Sequence, residues 1–495
     1  MFPSFDIKAF LHQFVYDKHN PLLFNNGFFV YLFFVFMLLY FAFRNKVAIR
    51  TNIFCLFSLY FFYKASGFFV VLVIISAIAD FILSNAIYKQ TDKTKRKLLL
   101  TISIVFNLGL LFYFKYTNFF VEILNQHFSA HINPLNILLP VGISFYTFEN
   151  ISYTIDVYRG EFVPVKKFNE YLLFLSFFPK LVMGPIVRAK DFIPQTTKPY
   201  YINKEDFAAG FFLIITGLFK KLIISDYITL NYVNYIFDSP SKYTGLECLF
   251  AVYGYAIVIY CDFSGYSSVA IGIARWLGYK IPPNFSSPYQ SKDITEFWRR
   301  WHISLSSWLR DYLYIPLGGN RKGKLRTYIN LFITMLLGGL WHGASFNFIV
   351  WGGLHGTALA IHKLWNEKTR SIASKWNGSV LYKGFVLLLT FHFVCFCWIF
   401  FKAANFHIAG DMLNQMQHHF SLDVWSRFWG NYHNVIWMML LGFALHAIPE
   451  NICDTISFKL QKLNVVSYAA IFFLFLLVYG YYKSSEAVMP IYLQF

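Results

Sequence analysis

Apolar segments recur along almost the whole chain, and this repetition limits the fold more than any other feature. A helix needs about 20 apolar residues to cross the hydrocarbon core of a bilayer. Several segments are shorter, so some of them would be tilted, paired or re-entrant, and we expect about ten to twelve true crossings. The segments lie at about 28–43, 52–63, 67–86, 98–115, 137–155, 171–187, 207–224, 246–261, 328–341, 346–362, 383–401, 434–448 and 466–482.

The amino-acid composition supports a membrane-embedded chain. Apolar and aromatic residues make up 57% of the sequence and charged residues only 14%, whereas soluble domains carry roughly 25% charge. This excludes a disordered chain and a nucleic-acid-binding domain, and it argues against a soluble enzyme. The net charge of +18 is then assigned to short loops that face anionic lipid headgroups. The expected fold class is an all-α polytopic membrane protein, with membrane lipid as a partner and no nucleic acid.

Basic residues are concentrated in alternate loops of the first third of the chain. Loops 44–50, 89–97 and 156–167 are rich in Lys and Arg, whereas 116–136 contains neither. By the positive-inside rule, the three basic loops are cytoplasmic, and 116–136 and the N-terminus lie outside.

The segment 264–327 breaks the apolar pattern because it combines charge, tryptophan, glycine and proline. It is too polar to span lipid and too apolar to be a simple surface loop. Irregular backbone at membrane depth occurs only where protein buries it or where it lines a water-filled cavity. The alternative is an amphipathic helix at the interface, with Arg and Trp at headgroup level. Because both descriptions can hold, we expect a re-entrant or interfacial segment.

His342 lies in LGGLWHGA (337–344), at the end of the apolar run 328–341. An ionisable side chain within a membrane segment is costly, which makes it a functional-site hypothesis by default. Small residues on both sides leave room for another chain segment or a ligand near its ring. The alternative is a structural histidine, hydrogen-bonded to a carbonyl of a neighbouring helix.

His302 lies in FWRRWHISLS (297–306). In a helix, Trp298, Trp301 and His302 would share one face. The segment could form a polar mouth that takes the phosphates of a coenzyme, or equally an interfacial helix with its arginines among the headgroups. The charged residues that project elsewhere, or follow two turns later, are Arg299, Arg300, Arg310 and Asp311.

Two imidazoles in a lipid-shielded site suit general base catalysis. Burial lowers the pKa of a histidine and keeps it unprotonated. A neutral imidazole can remove a proton from a hydroxyl group while that group attacks a thioester. The sequence contains no G-x-S-x-G, no P-loop and no H-E-x-x-H, so a serine hydrolase, an ATPase and a zinc protease lack support. No metal is expected.

Seven longer motifs follow one another in a specific order. They are LPVGISFYTF at 139–148, ISYTIDVYRG at 151–160, FFPKLVMGPIVR at 177–188, YCDFSGYS at 260–267, NF at 284–285 with FWRRWHISLS at 297–306, WLRDYLYIPLGGNR at 308–321, and GLWHGA at 339–344. Together they resemble the membrane-bound O-acyltransferase family, in its alginate O-acetyltransferase-like bacterial branch. Lys180, Met183 and Ser268 depart from the residues that these motifs usually carry.

The resemblance implies a ring of tilted spans around a thinned centre, with a tunnel that joins the two faces. It implies that 1–495 is a single integral-membrane domain with its core motifs at 139–364. The family's catalytic histidine matches His342, and its second histidine, on a re-entrant helix, matches His302. The acyl donor, an acyl-CoA and most simply acetyl-CoA, reaches the tunnel from the cytoplasm as a substrate, and no cofactor is bound. A bacterial cytoplasmic (inner) membrane is implied, with a periplasmic or extracytoplasmic SGNH-type acyltransferase as the partner for the last transfer.

The chain ends in SSEAVMPIYLQF at 484–495, which is similar to the aromatic tail of this branch. The related teichoic-acid D-alanylation system has such a tail as a separate peptide, whose tyrosine is proposed to take the acyl group. The matching residue is Tyr492, which would then relay an acyl group to the partner. A phenol suits this role because its aryl ester passes the group on more readily than an alkyl ester. The alternative is a C-terminal plug that only packs the ring, since Pro490 and Leu493 replace the usual aromatic residues.

The sequence therefore predicts a membrane O-acyltransferase that moves an acyl group, most simply acetyl, from a cytoplasmic thioester across the membrane for O-acylation of an extracytoplasmic polysaccharide. His342 is the predicted general base, and His302 orients or assists. The residues expected at the donor-side mouth are Arg299, Arg300, Ser304, Trp308, Arg310 and Asp311. The alternatives are a polysaccharide or lipid transporter, for which no inverted repeat and no clear relay chain of charged residues is evident, and a scaffold that would function without His342.

Overall fold

The computed structural model describes residues 6–376, 379–483 and 488–493, and in this part of the chain the regular structure is helical, without β-strands. The predicted all-α fold class is therefore confirmed. In chain order the helices are α1 (Ile7–His12), α2 (Gly27–Ala42), α3 (Val47–Ser66), α4 (Val70–Lys89), α5 (Lys93–Leu111), α6 (Thr117–Phe128), α7 (Ile143–Arg159), α8 (Phe168–Ser176), α9 (Phe178–Leu181), α10 (Ala189–Thr196), α11 (Lys204–Leu218), α12 (Asp226–Ile228), α13 (Asn234–Asp238), α14 (Gly245–Trp276), α15 (Ile294–Arg300), α16 (Ile303–Leu309), α17 (Lys324–His342), α18 (Phe346–Trp376), α19 (Val380–Lys402), α20 (Phe406–His418), α21 (Trp425–Ala447), α22 (Glu450–Leu460) and α23 (Val465–Tyr482).

Six helical stretches of the described residues are long and apolar enough to cross a membrane, and the pair α21–α22, bent by 86°, makes up to seven. The multi-pass character predicted from the sequence is confirmed. Because such a stretch can contain more than one helix, and a short apolar helix such as α2, with 16 residues, is not counted, the expected ten to twelve crossings stay a prediction. The six stretches are Val47–Lys89, Lys93–Phe128, Lys204–Asp238, Gly245–Trp276, Val380–Lys402 and Val465–Tyr482.

The stretch Val47–Lys89 contains two helices rather than one. Each of α3 and α4 has 20 residues and is therefore about 30 Å long, the thickness of the hydrocarbon core. Gly67 lies between them with φ +62° and ψ −140°, a conformation that glycine adopts readily and that ends α3. Each helix is thus long enough to cross a membrane by itself.

The chain divides into two compact units, one formed by the described residues of Met1–Gly210 and Val269–Pro282, the other by those of Phe211–Ser268 and Pro283–Phe495. The expectation of a single domain over 1–495 stays a prediction. Both histidines of interest belong to the second unit.

A buried polar network lies inside the first unit. The Asp80 carboxylate of α4 accepts hydrogen bonds from Ser103 (2.5 Å) and Asn107 (2.7 Å) of α5 and from Thr154 (3.4 Å) of α7. A buried carboxylate is tolerated only when hydrogen bonds replace its water. The network therefore holds these three helices in one arrangement.

Lys180, which departs from its motif, also lies in the first unit. Its ammonium group pairs with the Glu149 carboxylate of α7, and both side chains are buried. The same carboxylate accepts the backbone N–H of Val187 at 3.1 Å. The lysine charge is therefore compensated inside the unit, which gives it a structural role.

The second unit has one large apolar core to which α14, α18, α19 and α21 contribute. Trp301, Trp351 and Trp398 are among its largest fully buried side chains. The segment 264–327 was predicted to be re-entrant or interfacial throughout. Its first 13 residues instead continue α14, which ends at Trp276. Its remainder forms α15, α16 and a π-helical turn at Arg310–Tyr314.

Candidate active site

His342 is the last residue of α17 and is only 2% exposed. Its ring centroid lies 5.0 Å from that of Trp351 of α18 and 5.3 Å from that of Phe401 of α19, both close to perpendicular to it. Two neighbouring helices thus enclose the imidazole in aromatic side chains.

Glycines bring α17 against α18 at this point. A Cβ added to Gly339 would meet the carbonyl oxygen of Phe348 and would lie 3.1 Å from the Cα of Gly352. Only hydrogen side chains permit backbones to approach so closely. The room expected beside His342 is therefore present, and α18 occupies it.

His302 lies between two short helices and not within one helix. α15 ends at Arg300 and α16 begins at Ile303, and His302 has φ +43° and ψ +55°. The predicted common helical face of Trp298, Trp301 and His302 is therefore wrong, because the chain turns at 301–302. A non-glycine residue in the left-handed region is strained and is often found at functional sites.

Asn284 holds the turn at His302 in place. Its backbone carbonyl accepts the N–H of Ile303 at 3.0 Å. Its side-chain oxygen accepts the backbone N–H of Ser304 at 3.2 Å and the Ser304 hydroxyl at 2.9 Å. The strained backbone is thus fixed by hydrogen bonds from Asn284 to the two residues that follow His302.

The same oxygen defines the tautomer of His302. Nδ1 of His302 lies 3.1 Å from Oδ1 of Asn284. Because the Ser304 backbone N–H can only donate, this atom of Asn284 must be the amide oxygen, and Nδ1 must carry the proton. Nε2 is then the basic nitrogen. Burial lowers the pKa of His302 to about 3, so the imidazole is neutral at physiological pH.

Tyr492 contacts both histidines from the short 3₁₀ turn Ile491–Leu493. Its ring centroid lies 5.5 Å from that of His342 and 6.1 Å from that of His302, and the two histidine rings are 6.4 Å apart. Phe263 and Trp341 pack on the same tyrosine ring at 4.5 and 6.2 Å. The structure thus brings together the three residues that the sequence singled out most strongly. Of the predicted tail 484–495, residues 484–487 and 494–495 lie outside the described residues.

A buried ion pair anchors the turn that carries Tyr492. The backbone N–H of Ile491 donates to Oδ2 of Asp262 at 2.9 Å. Oδ1 of Asp262 lies 2.5 Å from the Lys221 ammonium, which is also 2.8 Å from Asp226. The position of the tail therefore depends on charged residues of α14 and of the segment before α12.

The residues predicted at the donor-side mouth differ in burial and in the partners that they contact. Ser304 is buried and hydrogen-bonded to Asn284 beside His302, and Trp308 is buried against Tyr312, with ring centroids 5.2 Å apart. Arg299 is exposed, Arg300 pairs with Glu296 at 2.8 Å, and Arg310 pairs with Asp311 at 2.8 Å. Their role at a mouth stays a prediction.

Sequence reasoning did not find Asn284, Asp262 or Phe263. All three lie within the motifs that resemble the family. An amide, a carboxylate and a phenylalanine do not indicate a catalytic role by their residue type alone. Within the described ranges, no group of three or more His, Cys, Asp or Glu side chains could hold a metal ion.

Comparisons with known proteins agree with this picture. The sequence model of the membrane-bound O-acyltransferase family matches residues 165–404. The chain is 35% identical over 385 residues to the peptidoglycan O-acetyltransferase of Helicobacter pylori, a match that covers 72% of each protein. It is 43% identical over 345 residues to the probable alginate O-acetylase AlgI of Pseudomonas putida, with 68% of this chain and 67% of the relative covered. It is 31% identical over 297 residues to the teichoic acid D-alanyltransferase of Bacillus subtilis, with 57% of this chain and 73% of the relative covered.

Proposed function

Because the chain belongs to the membrane-bound O-acyltransferase family, we propose that it transfers acetyl groups from cytoplasmic acetyl-CoA towards a polysaccharide outside the cytoplasm. Membership makes it a multi-pass membrane acyltransferase, and the transporter and scaffold alternatives lose their basis. The acetyl group, the thioester donor and the acceptor are the proposed part. The single observation that supports a transfer through the protein is the contact of Tyr492 with both His302 and His342.

In the first step, His342 acts as the general base for Tyr492. Burial raises the pKa of the Tyr492 phenol well above its ordinary value, so the phenol needs a base to become a nucleophile. His342 accepts the phenolic proton while the oxygen attacks the thioester carbonyl carbon. The C–S bond then breaks, the thiolate takes the proton from His342, and CoA leaves as the thiol.

His302 assists this step by its fixed tautomer. With Nδ1–H donated to Asn284, Nε2 is an acceptor that can orient a hydroxyl group within a site enclosed by aromatic rings. Water is kept from the acyl-tyrosine, whose hydrolysis would waste the group. Arg299, Arg300 and Arg310 are proposed to face the donor's phosphates, and Ser304, Trp308 and Asp311 are proposed to line the same mouth.

In the second step, a serine of an SGNH-type partner attacks the tyrosyl ester. A histidine accepts the serine hydroxyl proton as the serine oxygen bonds to the acyl carbon, the bond from that carbon to the Tyr492 oxygen breaks, and the same histidine passes the proton to the phenolate. The partner then acylates the polysaccharide. Relatives are named for alginate, peptidoglycan and teichoic acid, so a polymer of the cell envelope is the proposed acceptor class, and the bacterial inner membrane is the proposed location.

Incubation of the purified protein with radiolabelled acetyl-CoA tests the proposed roles of His342 and Tyr492. We expect label on the wild-type protein, and no label on His342→Ala or Tyr492→Phe, because the first lacks the base and the second lacks the nucleophile. Tyr481→Phe is the matched control, because Tyr481 is 83% exposed on α23, and it should be labelled like the wild type.

The outcomes separate the parts of the proposal. Label that is lost with His342→Ala but kept with Tyr492→Phe would retain the acyltransferase and reject the tyrosine relay. Full labelling of His342→Ala would reject His342 as the base. Absence of label on the wild type, with a partner and candidate polymers also supplied, would reject acetyl-CoA as the donor.

A further inference from the structure

Two consecutive lysines lie at the middle of a membrane-crossing stretch, and their surroundings differ. Lys220 and Lys221 belong to the π-helical segment Phe219–Ser225, within Lys204–Asp238. Ionisable residues at membrane depth are costly and usually serve a function. Lys221 is compensated by the carboxylates of Asp226 and Asp262.

Lys220 has no such compensation. Its ammonium group donates to the hydroxyl oxygens of Ser264 (3.1 Å) and Ser268 (3.3 Å) and lies 5.8 Å from the ring centroid of Tyr260. Across the residues that the structure describes, it forms no ion pair with a carboxylate. The side chain is partly exposed.

The partners of Lys220 form one face of α14. Tyr260, Ser264 and Ser268 follow at intervals of four residues, which places them in line along a helix. Both hydroxyls can rotate and donate to an incoming oxygen while the ammonium group supplies positive charge. One cation with two hydroxyl donors suits a phosphate group, whose oxygens accept several hydrogen bonds.

This face lies next to the face that builds the candidate active site. Phe263 contacts Tyr492 and His302, and Ser267 accepts a hydrogen bond from Asn284 at 3.4 Å. Residues 263 and 267 are each one position before 264 and 268, so the two faces are separated by about 100° around α14. A ligand held at Lys220 therefore lies on a face of α14 next to the one that contacts the reacting groups.

We propose that Lys220, Ser264 and Ser268 form a binding site for a phosphate ester group. Two ligands carry this chemistry in a membrane, the phosphates of the acyl donor and the headgroup of a phospholipid. Where the phosphate belongs to the acyl donor, the proposal rests on the proposed function, and the site holds the donor at a second point, distant from the thioester. The site itself is defined by binding alone.

Binding of CoA to the purified protein in phosphatidylcholine nanodiscs, measured by calorimetry without turnover, tests the site. In Ser268→Asp a carboxylate would stand beside the Lys220 ammonium and pair with it. We expect at least tenfold weaker CoA binding and a melting temperature no lower than that of the wild type. Lys220→Gln should weaken binding to a similar extent, and Lys89→Gln, at an exposed end of α4, should leave it unchanged.

A second arm identifies the source of the phosphate. Nanodiscs that contain phosphatidylglycerol are analysed by native mass spectrometry for lipid retained by each variant. Unchanged CoA binding with lipid loss in both Ser268→Asp and Lys220→Gln would assign the site to lipid. If neither CoA nor lipid binding changes in the two folded variants, the proposal is wrong. Because no acetyl transfer is measured, this failure is separate from failure of the proposed function.

Discussion

At the scale of single residues, the hydrogen bond from His302 to Asn284 defines the chemistry of the site. The amide oxygen fixes the proton on Nδ1 without adding charge, and burial keeps the pKa of His302 at about 3. The neutral form therefore persists through the whole physiological range. Acidification down to about pH 4 should therefore not protonate His302 or reduce the rate through it. Any loss of wild-type activity on acidification above that pH would come from another titratable group.

Asn284→Asp tests this assignment with the smallest change of shape. The carboxylate can still accept from Ser304, but its charge favours the imidazolium, and an opposite charge at this distance raises a pKa by about 1–3 pH units. The pKa of His302 would then lie between about 4 and 6. We expect acetyl transfer by Asn284→Asp to fall on acidification through that range, as measured in a profile of rate against pH.

Asn284→Ala supplies the complementary control. It removes the acceptor for both His302 and Ser304, and it should lower the rate at every pH without a new acid limb. Equal pH profiles for the wild type and Asn284→Asp would contradict the proposed protonation state.

The two histidines could be predicted from the sequence because an ionisable group in an apolar or tryptophan-rich segment stands out. Asn284 could not, since an amide is common in turns and its importance depends on three donors from 18 to 20 residues away. Ser304 was also predicted; it is hydrogen-bonded to Asn284 beside His302, and its role at the donor-side mouth stays a prediction.

At the scale of elements, the crossing of α17 and α18 places His342. Two adjacent glycines of α18 differ in their surroundings and offer a matched pair. A Cβ on Gly352 would lie 3.1 Å from the Cα of Leu336 and 3.2 Å from that of Gly339, whereas one on Gly353 would meet nothing closer than 3.8 Å.

Gly352→Ala should therefore push the helices apart. We expect a lower melting temperature, with a destabilisation of about 1–3 kcal/mol from overpacking, and a lower rate of transfer because His342 moves. Gly353→Ala should be neutral or slightly stabilising, since alanine favours helix. Similar melting temperatures for the two variants would show that the crossing tolerates a methyl group.

Element boundaries were the least predictable part of this chain. The run FWRRWHISLS has no proline or glycine to mark a break, and the turn at 301–302 is imposed by Asn284 from outside the segment. Similarly, α14 continues to Trp276 through Ser264 and Gly265, because packing within the protein accepts polar and small residues that lipid would not. Tertiary contacts decide both boundaries.

At the scale of the whole molecule, a charged anchor holds the described part of the tail at the site. Asp262→Asn would leave Lys221 paired with Asp226 but weaken the acceptor for the Ile491 N–H, and hydrogen bonds to charged groups contribute about 1.5–3 kcal/mol. We expect a carboxypeptidase to digest the tail at least about tenfold faster in this variant than in the wild type. Mass spectrometry of the digested protein would measure the rate.

Asp226→Asn is the control for that experiment. This substitution removes the other carboxylate that pairs with Lys221. Among the described residues, Asp226 makes no contact with the tail, whose Ile491 N–H donates to Asp262. Equal digestion of the wild type and Asp262→Asn would reject the anchor, whereas equally fast digestion of both variants would assign the effect to the ion pair as a whole.

The architecture as a class was predictable because lipid admits only helices or closed barrels, and the apolar segments were too long for strands. The number of crossings was less predictable, because a short apolar helix such as α2, with 16 residues, falls below the usual length, and the stretch Val47–Lys89 contains two helices. The order of the long motifs identified the family, which no single segment could have done.

The residue that touches both histidines is covalently part of the same chain, and this has a consequence for stoichiometry. In the proposed relay a tethered acceptor has a fixed effective concentration at the site, so once the acyl donor is bound the transfer to Tyr492 is unimolecular, and its rate constant does not depend on how much protein is present. Each molecule holds at most one acyl group until it is unloaded. A rapid mixing experiment would then give a burst of released CoA whose amplitude equals the number of intact tails, and counting that burst would count the working enzymes.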